Sequence, residues 1–92
     1  MVLHFLVSSY TLVNSSDSTC HKLTTLSECS DAAAALSLSN TTAEYDDQSG
    51  DTNAPPHCYL EGGVLKFNSN GFNTGVCTTS AQCVCRVCKY FR

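Results

Sequence analysis

The sequence predicts a disulfide-stapled α+β domain, with one short helix packed on a small antiparallel sheet. Three observations lead there. Seven cysteines, at 20, 29, 58, 77, 83, 85 and 88, are spread through 92 residues. A capping signal followed by an alanine run marks a helix start near residue 25. Short β-forming stretches bounded by Gly- and Asn-rich turns lie on either side of it.

The chain opens on an apolar stretch, Val2 to Val7, interrupted by His4. It is too short for a signal-peptide core and lacks a basic start, so it reads as a first strand in preference to the stub of a longer precursor cut at this point. Tyr10-Thr11-Leu12-Val13 is rich in β-formers, so residues 2–13 read as one or two extended pieces. Asn14 to Thr19 is a polar loop leading to Cys20.

Thr25-Leu26-Ser27-Glu28 fits a capping box, in which the Thr hydroxyl and the Glu carboxylate satisfy amide donors left open at a helix start. The alanines that follow are strong helix formers. Cys29, Ala32, Ala33 and Leu36 fall at i, i+3, i+4 and i+7 and share one face. That face is flat enough to lie close on a sheet, and its cysteine can bolt it to a strand. Asp31 near the N-terminus suits the helix dipole. The spacing predicts a helix over 26–38.

Residues 40–57 hold Gly, two Pro and several Asn and Asp, and predict a long exposed loop. Its acids, Glu44, Asp46, Asp47 and Asp51, match no EF-hand spacing and read as solvated. From residue 58 the pattern turns to strands. Cys58-Tyr59-Leu60 and Val64-Leu65-Lys66-Phe67 flank a hairpin turn at Glu61-Gly62-Gly63. After the turn-rich Asn68 to Gly75, a last strand spans Gln82 to Val87. The predicted sheet is therefore built from residues near 10–13, 58–67 and 82–87. All of 1–92 forms one domain, with its core from about 10 to 88.

Composition narrows the function classes. Cysteine usage at this density in a short polypeptide indicates an oxidising, extracellular compartment. Ser and Thr together number 22. Acceptor triplets for N-glycosylation stand at Asn14 and Asn40. The net charge of −3 and the absence of a basic stripe argue against nucleic acid. No run approaches the ~18 apolar residues that cross a bilayer.

The order of landmarks resembles a small six-cysteine extracellular module associated with secreted and surface proteins of marine microalgae. The likeness rests on Tyr10-Thr11-Leu12-Val13, Cys20, Ser27-Glu28-Cys29, Ala32-Ala33 with Leu36, Pro55-Pro56-His57-Cys58-Tyr59, Leu65-Lys66-Phe67-Asn68, Cys77-Thr78-Thr79-Ser80 and Cys83-Val84-Cys85. It runs from about residue 10 to residue 86. It implies a fold type and a compartment, and no reaction. His57 stands where a Gly commonly precedes the cysteine, and Cys88 is an additional thiol.

Cys20, Cys29, Cys58, Cys77, Cys83 and Cys85 are the candidate disulfide cysteines, and their pairing stays open at this level. Cys29 on the helix is expected to reach a strand cysteine. Cys20 is expected to tie the N-terminal loop to the C-terminal strand. Cys83 and Cys85 lie on one strand face some 6–7 Å apart and belong to different bonds. Cys88 is the candidate free thiol, the partner of another polypeptide, or one half of a pair continuing beyond residue 92. The ending Lys89-Tyr90-Phe91-Arg92 points to a fragment of a larger protein.

The expected function is an extracellular binding or structural module, not an enzyme, with no cofactor or metal. Its partner would be an extracellular glycan or protein. A sugar site needs an exposed aromatic face with nearby amides, for which Tyr59, Asn68, Asn70, Phe72 and Asn73 are the candidates. The alternative is a small secreted thiol/redox protein or a zinc-binding domain. Cys83, Cys85 and Cys88 would supply zinc thiolates, with His57 or His21 as fourth ligand. Cys85-Arg86-Val87-Cys88 would be the redox pair, which needs a helix N-terminus behind its first thiol. His4, His21 and His57 are the histidines available to a cysteine hydrolase.

Overall fold

The computed structural model describes residues 5–15, 20–48, 50–69 and 71–91, with 5–8 and 88–91 described in backbone alone. Its elements are β1 (Phe5–Val13), β2 (His21–Lys22), α1 (Leu26–Ala35), β3 (Glu44–Tyr45), β4 (His57–Glu61), β5 (Val64–Asn68) and β6 (Ala81–Phe91). They form one six-stranded sheet with the helix packed on it.

The long strand β6 is the spine. One of its edges carries β1 in antiparallel register, from Phe5 opposite Phe91 to Val13 opposite Cys83. Two strands share its other edge. β4 pairs there with Ala81–Cys83, and β2 pairs with Cys85 and Arg86. β4 and β5 make a hairpin closed by Gly62 and Gly63, both at positive φ (59° and 78°). Two consecutive positive φ values match the right-handed twist of the flanking strands, and glycine reaches them without a Cβ clash. β3 runs parallel to β5, with Glu44 opposite Lys66.

The helix starts as the capping signal predicts. Thr25 Oγ1 accepts from the Glu28 N–H at 3.0 Å. The Glu28 carboxylate, however, turns to the Tyr10 hydroxyl (3.5 Å) and the Arg86 guanidinium (3.6 Å), and so ties the helix to the sheet. The helix ends at Ala35, three residues before the expected position. Ser37 takes φ +57°, and the Leu38 and Ser37 amides donate back to the carbonyls of Ala33 and Ala34. This is a Schellman closure with serine where glycine usually sits.

Cys29, Ala32 and Ala33 are fully buried against Leu23, Cys58, Leu65, Phe67 and Val84. Leucine, valine and phenylalanine side chains buried in this way contribute about 1.5–3 kcal/mol each. Alternation along the strands sends Tyr59, Ala81, Cys83 and Cys85 to the other face. There Tyr59 and Ala81 pack with Ala54 from the loop before β4.

Three disulfides join these parts: Cys29–Cys58 from helix to β4, Cys20–Cys85 from the β2 approach to β6, and Cys77–Cys83 across the turn before β6. Such bonds stabilise mainly by restricting the unfolded state, by ~2–4 kcal/mol each.

Three further details differ from the sequence reading. The sheet is mixed, because β3 adds a parallel pair that two residues are too short to announce. β6 continues past Val87 to Phe91, held by its register with β1. The segment 40–57 is not uniformly exposed, since Ala43, Ala54 and Pro55 are buried beneath their polar neighbours.

Candidate functional site: a disulfide-framed cleft beside a buried polar network

β4 and β2 follow one another along the same edge of β6, and a cleft opens where they part. Its volume is about 240 Å³. Val84 of β6 lies at the cleft, together with Pro55, Pro56, His57 and Cys58 leading into β4. Gly75, Val76 and Cys77 come from the loop ahead of β6, and Cys20 and Lys22 from the β2 side. All three disulfides border this space through Cys20, Cys58, Cys77 and Cys83.

His57 is the most unusual residue of the cleft. Its backbone is left-handed, at φ +65°. Residues other than Gly, Asn and Asp seldom adopt this conformation, and such strain concentrates at functional positions. The imidazole lies near the Phe67 ring, with centroids 6.5 Å apart. A Cβ on Gly71 would come within 3.3 Å of its Nε2. Its Nδ1 is buried with no hydrogen-bond partner among the described residues. Burial, and then the nearby Lys22 charge, hold its pKa below the usual histidine value.

The loops that wall the cleft are fixed by a polar network on the same side of the sheet. Tyr59 Oη donates to Asp46 Oδ2 at 2.8 Å. Asn68 Nδ2 donates to Asp46 Oδ1 (3.1 Å) and to the Gln48 carbonyl (2.9 Å), while its Oδ1 accepts from the Asn73 N–H (3.1 Å). Asn73 Nδ2 donates to Asp46 Oδ2 (3.0 Å) and the Pro55 carbonyl (3.2 Å), and its Oδ1 accepts from the Asp51 N–H (3.0 Å). Burial pulls the Asp46 pKa upward. Hydrogen bonds from Asn68, the Gln48 N–H, Tyr59 and Asn73 outweigh it and hold the carboxyl below its ordinary value. Burial and the Asp46 carboxylate push the Tyr59 hydroxyl far above the usual phenol range. Gly75 then docks on the same assembly, its N–H donating to the Ala54 carbonyl at 2.9 Å.

These positions revise the sugar-site expectation. Tyr59, Asn68 and Asn73 are 0%, 0% and 3% exposed, and their polar groups are consumed internally. They build the architecture and present no aromatic–amide surface. Phe72 is exposed. Asn70 lies outside the described residues. The sequence marked the Asn residues as turn formers. Their convergence on Asp46, from a segment at least 22 positions earlier, leaves no local pattern to read.

The other chemical readings meet the disulfides. Cys83 and Cys85 are bonded to Cys77 and Cys20, so neither is a thiolate for zinc while those bonds stand. Cys85 is spent in the same way for a redox pair, and it sits in a strand rather than at a helix N-terminus. Cys20 and Cys58, the cysteines adjoining His21 and His57, are likewise bonded and offer no nucleophile. His21 is exposed, and His4 lies outside the described residues. Among the described residues no group of three His, Cys, Asp or Glu is placed to hold a metal ion. Cys88 lies opposite Ser8 in the β1–β6 ladder.

Of the glycosylation acceptors, Asn14 is exposed just past β1, and its triplet runs into residues outside those described. Asn40 accepts from the Thr42 N–H at 3.0 Å and donates to the Gly63 carbonyl at 3.4 Å. No helix among the described residues is long and apolar enough to cross a membrane.

Comparison with family models, with curated proteins and with solved structures finds no match to this protein. Three disulfides in a domain this small are typical of extracellular proteins.

Proposed function

We propose that this protein is an extracellular binding module whose ligand face is the disulfide-framed cleft, and that it performs no catalysis. The observation that carries this reading is the convergence of all three disulfides on the border of one cleft. Rigid walls lower the entropy lost on binding, which makes a preformed cleft a better receptor than a mobile one. The resemblance to the six-cysteine microalgal module agrees with a secreted or cell-surface setting. A protein partner is favoured over a glycan. The buried amides are committed internally, whereas Val76 at the cleft is 59% exposed as an apolar contact.

The test begins with secreted protein, weighed intact before and after reduction and alkylation, with metal content read on the same sample. The proposal expects six oxidised cysteines, one alkylatable thiol and no stoichiometric metal. The same material is then presented to a glycan array and to a panel of displayed extracellular proteins, beside the Val76→Asp variant. A ligand lost on Val76→Asp supports the cleft. Several free thiols with bound zinc would instead move the function to the 83–88 cysteines.

A further inference from the structure

We propose that the cleft is a receptor for a compact carboxylate bearing an apolar group, such as a single-ring or branched aliphatic acid, with Lys22 and His57 reading its acid. This inference rests on the binding-module reading and names the ligand class of the same cleft.

Size comes first. At about 240 Å³ the cleft falls below the range of about 300–1,000 Å³ that suits drug-sized ligands. It accommodates one ring or a short branched hydrocarbon. Pro56 and Val76 provide accessible apolar surface for that group, with Pro55 and Val84 buried behind it.

Charge comes second. The protein is acidic overall, yet none of the described residues lining the cleft is an acid. Lys66 is paired with Glu61 at 2.8 Å, and Arg86 with Glu28 at 3.6 Å. Lys22 has no such ion pair among the described residues, and it stands at the cleft. A cation left uncommitted beside an apolar recess complements an anionic head on an apolar body.

The third argument is His57. Its left-handed backbone and its buried, unpartnered Nδ1 are both unfavourable within the domain itself. His57 lines the cleft beside Lys22, and a carboxylate bound there offsets the Lys22 charge that disfavours the imidazolium.

The test is an NMR titration of the oxidised, isotopically labelled domain with phenylacetate. Neutral phenylacetamide is the isosteric control, and N-acetylphenylalanine mimics the carboxy-terminal residue of a protein. Saturable shifts at Lys22, His57 and Val76 with phenylacetate, at least fivefold tighter than with the amide, are expected. Lys22→Met should reduce phenylacetate affinity roughly fivefold and leave amide binding unchanged. His57→Gly relieves the left-handed strain, so it should fold at least as stably while binding the acid more weakly. Preference for N-acetylphenylalanine would identify the natural ligand as a protein C-terminus, and preference for phenylacetate as a free acid. Equal affinity for acid and amide would overturn the proposal, as would the absence of saturable shifts up to about 20 mM. If those results coincide with a protein ligand sensitive to Val76→Asp, the binding-module reading stands and the carboxylate assignment falls.

Discussion

The two faces of the sheet are built on different principles. The helix side is an apolar cluster of Leu23, Ala32, Ala33, Leu65, Phe67 and Val84, closed by one disulfide. The loop side is covered by irregular segments from 46–48, 50–56 and 71–78, held by hydrogen bonds centred on Asp46. On the first side stability comes from area removed from water, which tolerates small shifts of its parts. On the second it depends on every buried polar group finding its partner, so a single lost bond strands several others. The cleft lies where the loop cover meets the disulfides, which places most of the proposed binding surface on the more geometrically demanding face.

The sharpest way to break this contrast is to damage each face once. Leu65→Ala leaves a cavity under the helix and should cost about 3 kcal/mol or more in urea unfolding. Hydrogen exchange in α1, β5 and β6 should quicken together, because all share that core. Asn68→Ala removes the donor to Asp46 and Gln48 and the acceptor for Asn73, and should cost about 2–3 kcal/mol. Its exchange pattern should differ, with protection lost in 46–56 and 71–78 while α1 keeps its own. If Asn68→Ala loosens α1 equally, the two faces form one cooperative unit and the contrast fails.

Close backbone approach is a second property peculiar to the loop side. A Cβ on Gly75 would fall 2.6 Å from the Ala54 nitrogen and oxygen. Backbone atoms lack the freedom of a side-chain tip to swing aside, so Gly75→Ala should cost about 2 kcal/mol. The cleft walled by Gly75 and Val76 should widen with it. Differential scanning calorimetry reads the first effect, and ligand titration reads the second.

How much of this was legible in the sequence follows the same division. The helix face was readable because Cys29, Ala32, Ala33 and Leu36 repeat with helical spacing, and burial follows that spacing. The Gly62-Gly63 hairpin was readable because its turn demands those residues locally. Asp46 was not, since its partners Tyr59, Asn68 and Asn73 come from 13 to 27 positions away. A solvated aspartate and a network centre look alike in a loop. Tyr59 and the two Asn residues were placed near one another by the turns. Only packing decides whether such amides face water or one another. The disulfides border the cleft, and the pairings Cys20–Cys85 and Cys29–Cys58 are likewise long-range facts.

Acid should separate the two faces more gently than mutation does. Folding depresses the His57 pKa, so the folded state binds fewer protons than the unfolded state just below the ordinary histidine value. Stability therefore falls as pH drops below about 6.5 and through the folded pKa of His57. The Asp46 carboxyl is also depressed, and its contribution, fully present above the ordinary aspartate value, is lost as pH falls through its lower folded pKa. Both groups belong to the loop side. Thermal midpoints should show two steps of loss, the upper removed by His57→Gly and the lower by Asp46→Asn. If both variants follow the parent profile, the loop side is not what acid attacks.

The smallest expected effect lies on the helix side and tests the tolerance that apolar packing gives that face. Ser37 closes the helix at φ +57°, where a Cβ meets the neighbouring carbonyl. A left-handed residue other than glycine costs roughly 1–2 kcal/mol. Glycine removes that strain but gives the unfolded state more freedom, which returns about 0.4–1 kcal/mol. Ser37→Gly should therefore raise stability by about 0.5–1 kcal/mol and leave cleft binding untouched. The gain would come from backbone strain alone, with no contact to the cleft or to the Asp46 network. A measurable change in ligand affinity would show that the helix terminus is coupled through the sheet to the loop side, against the independence of the two faces.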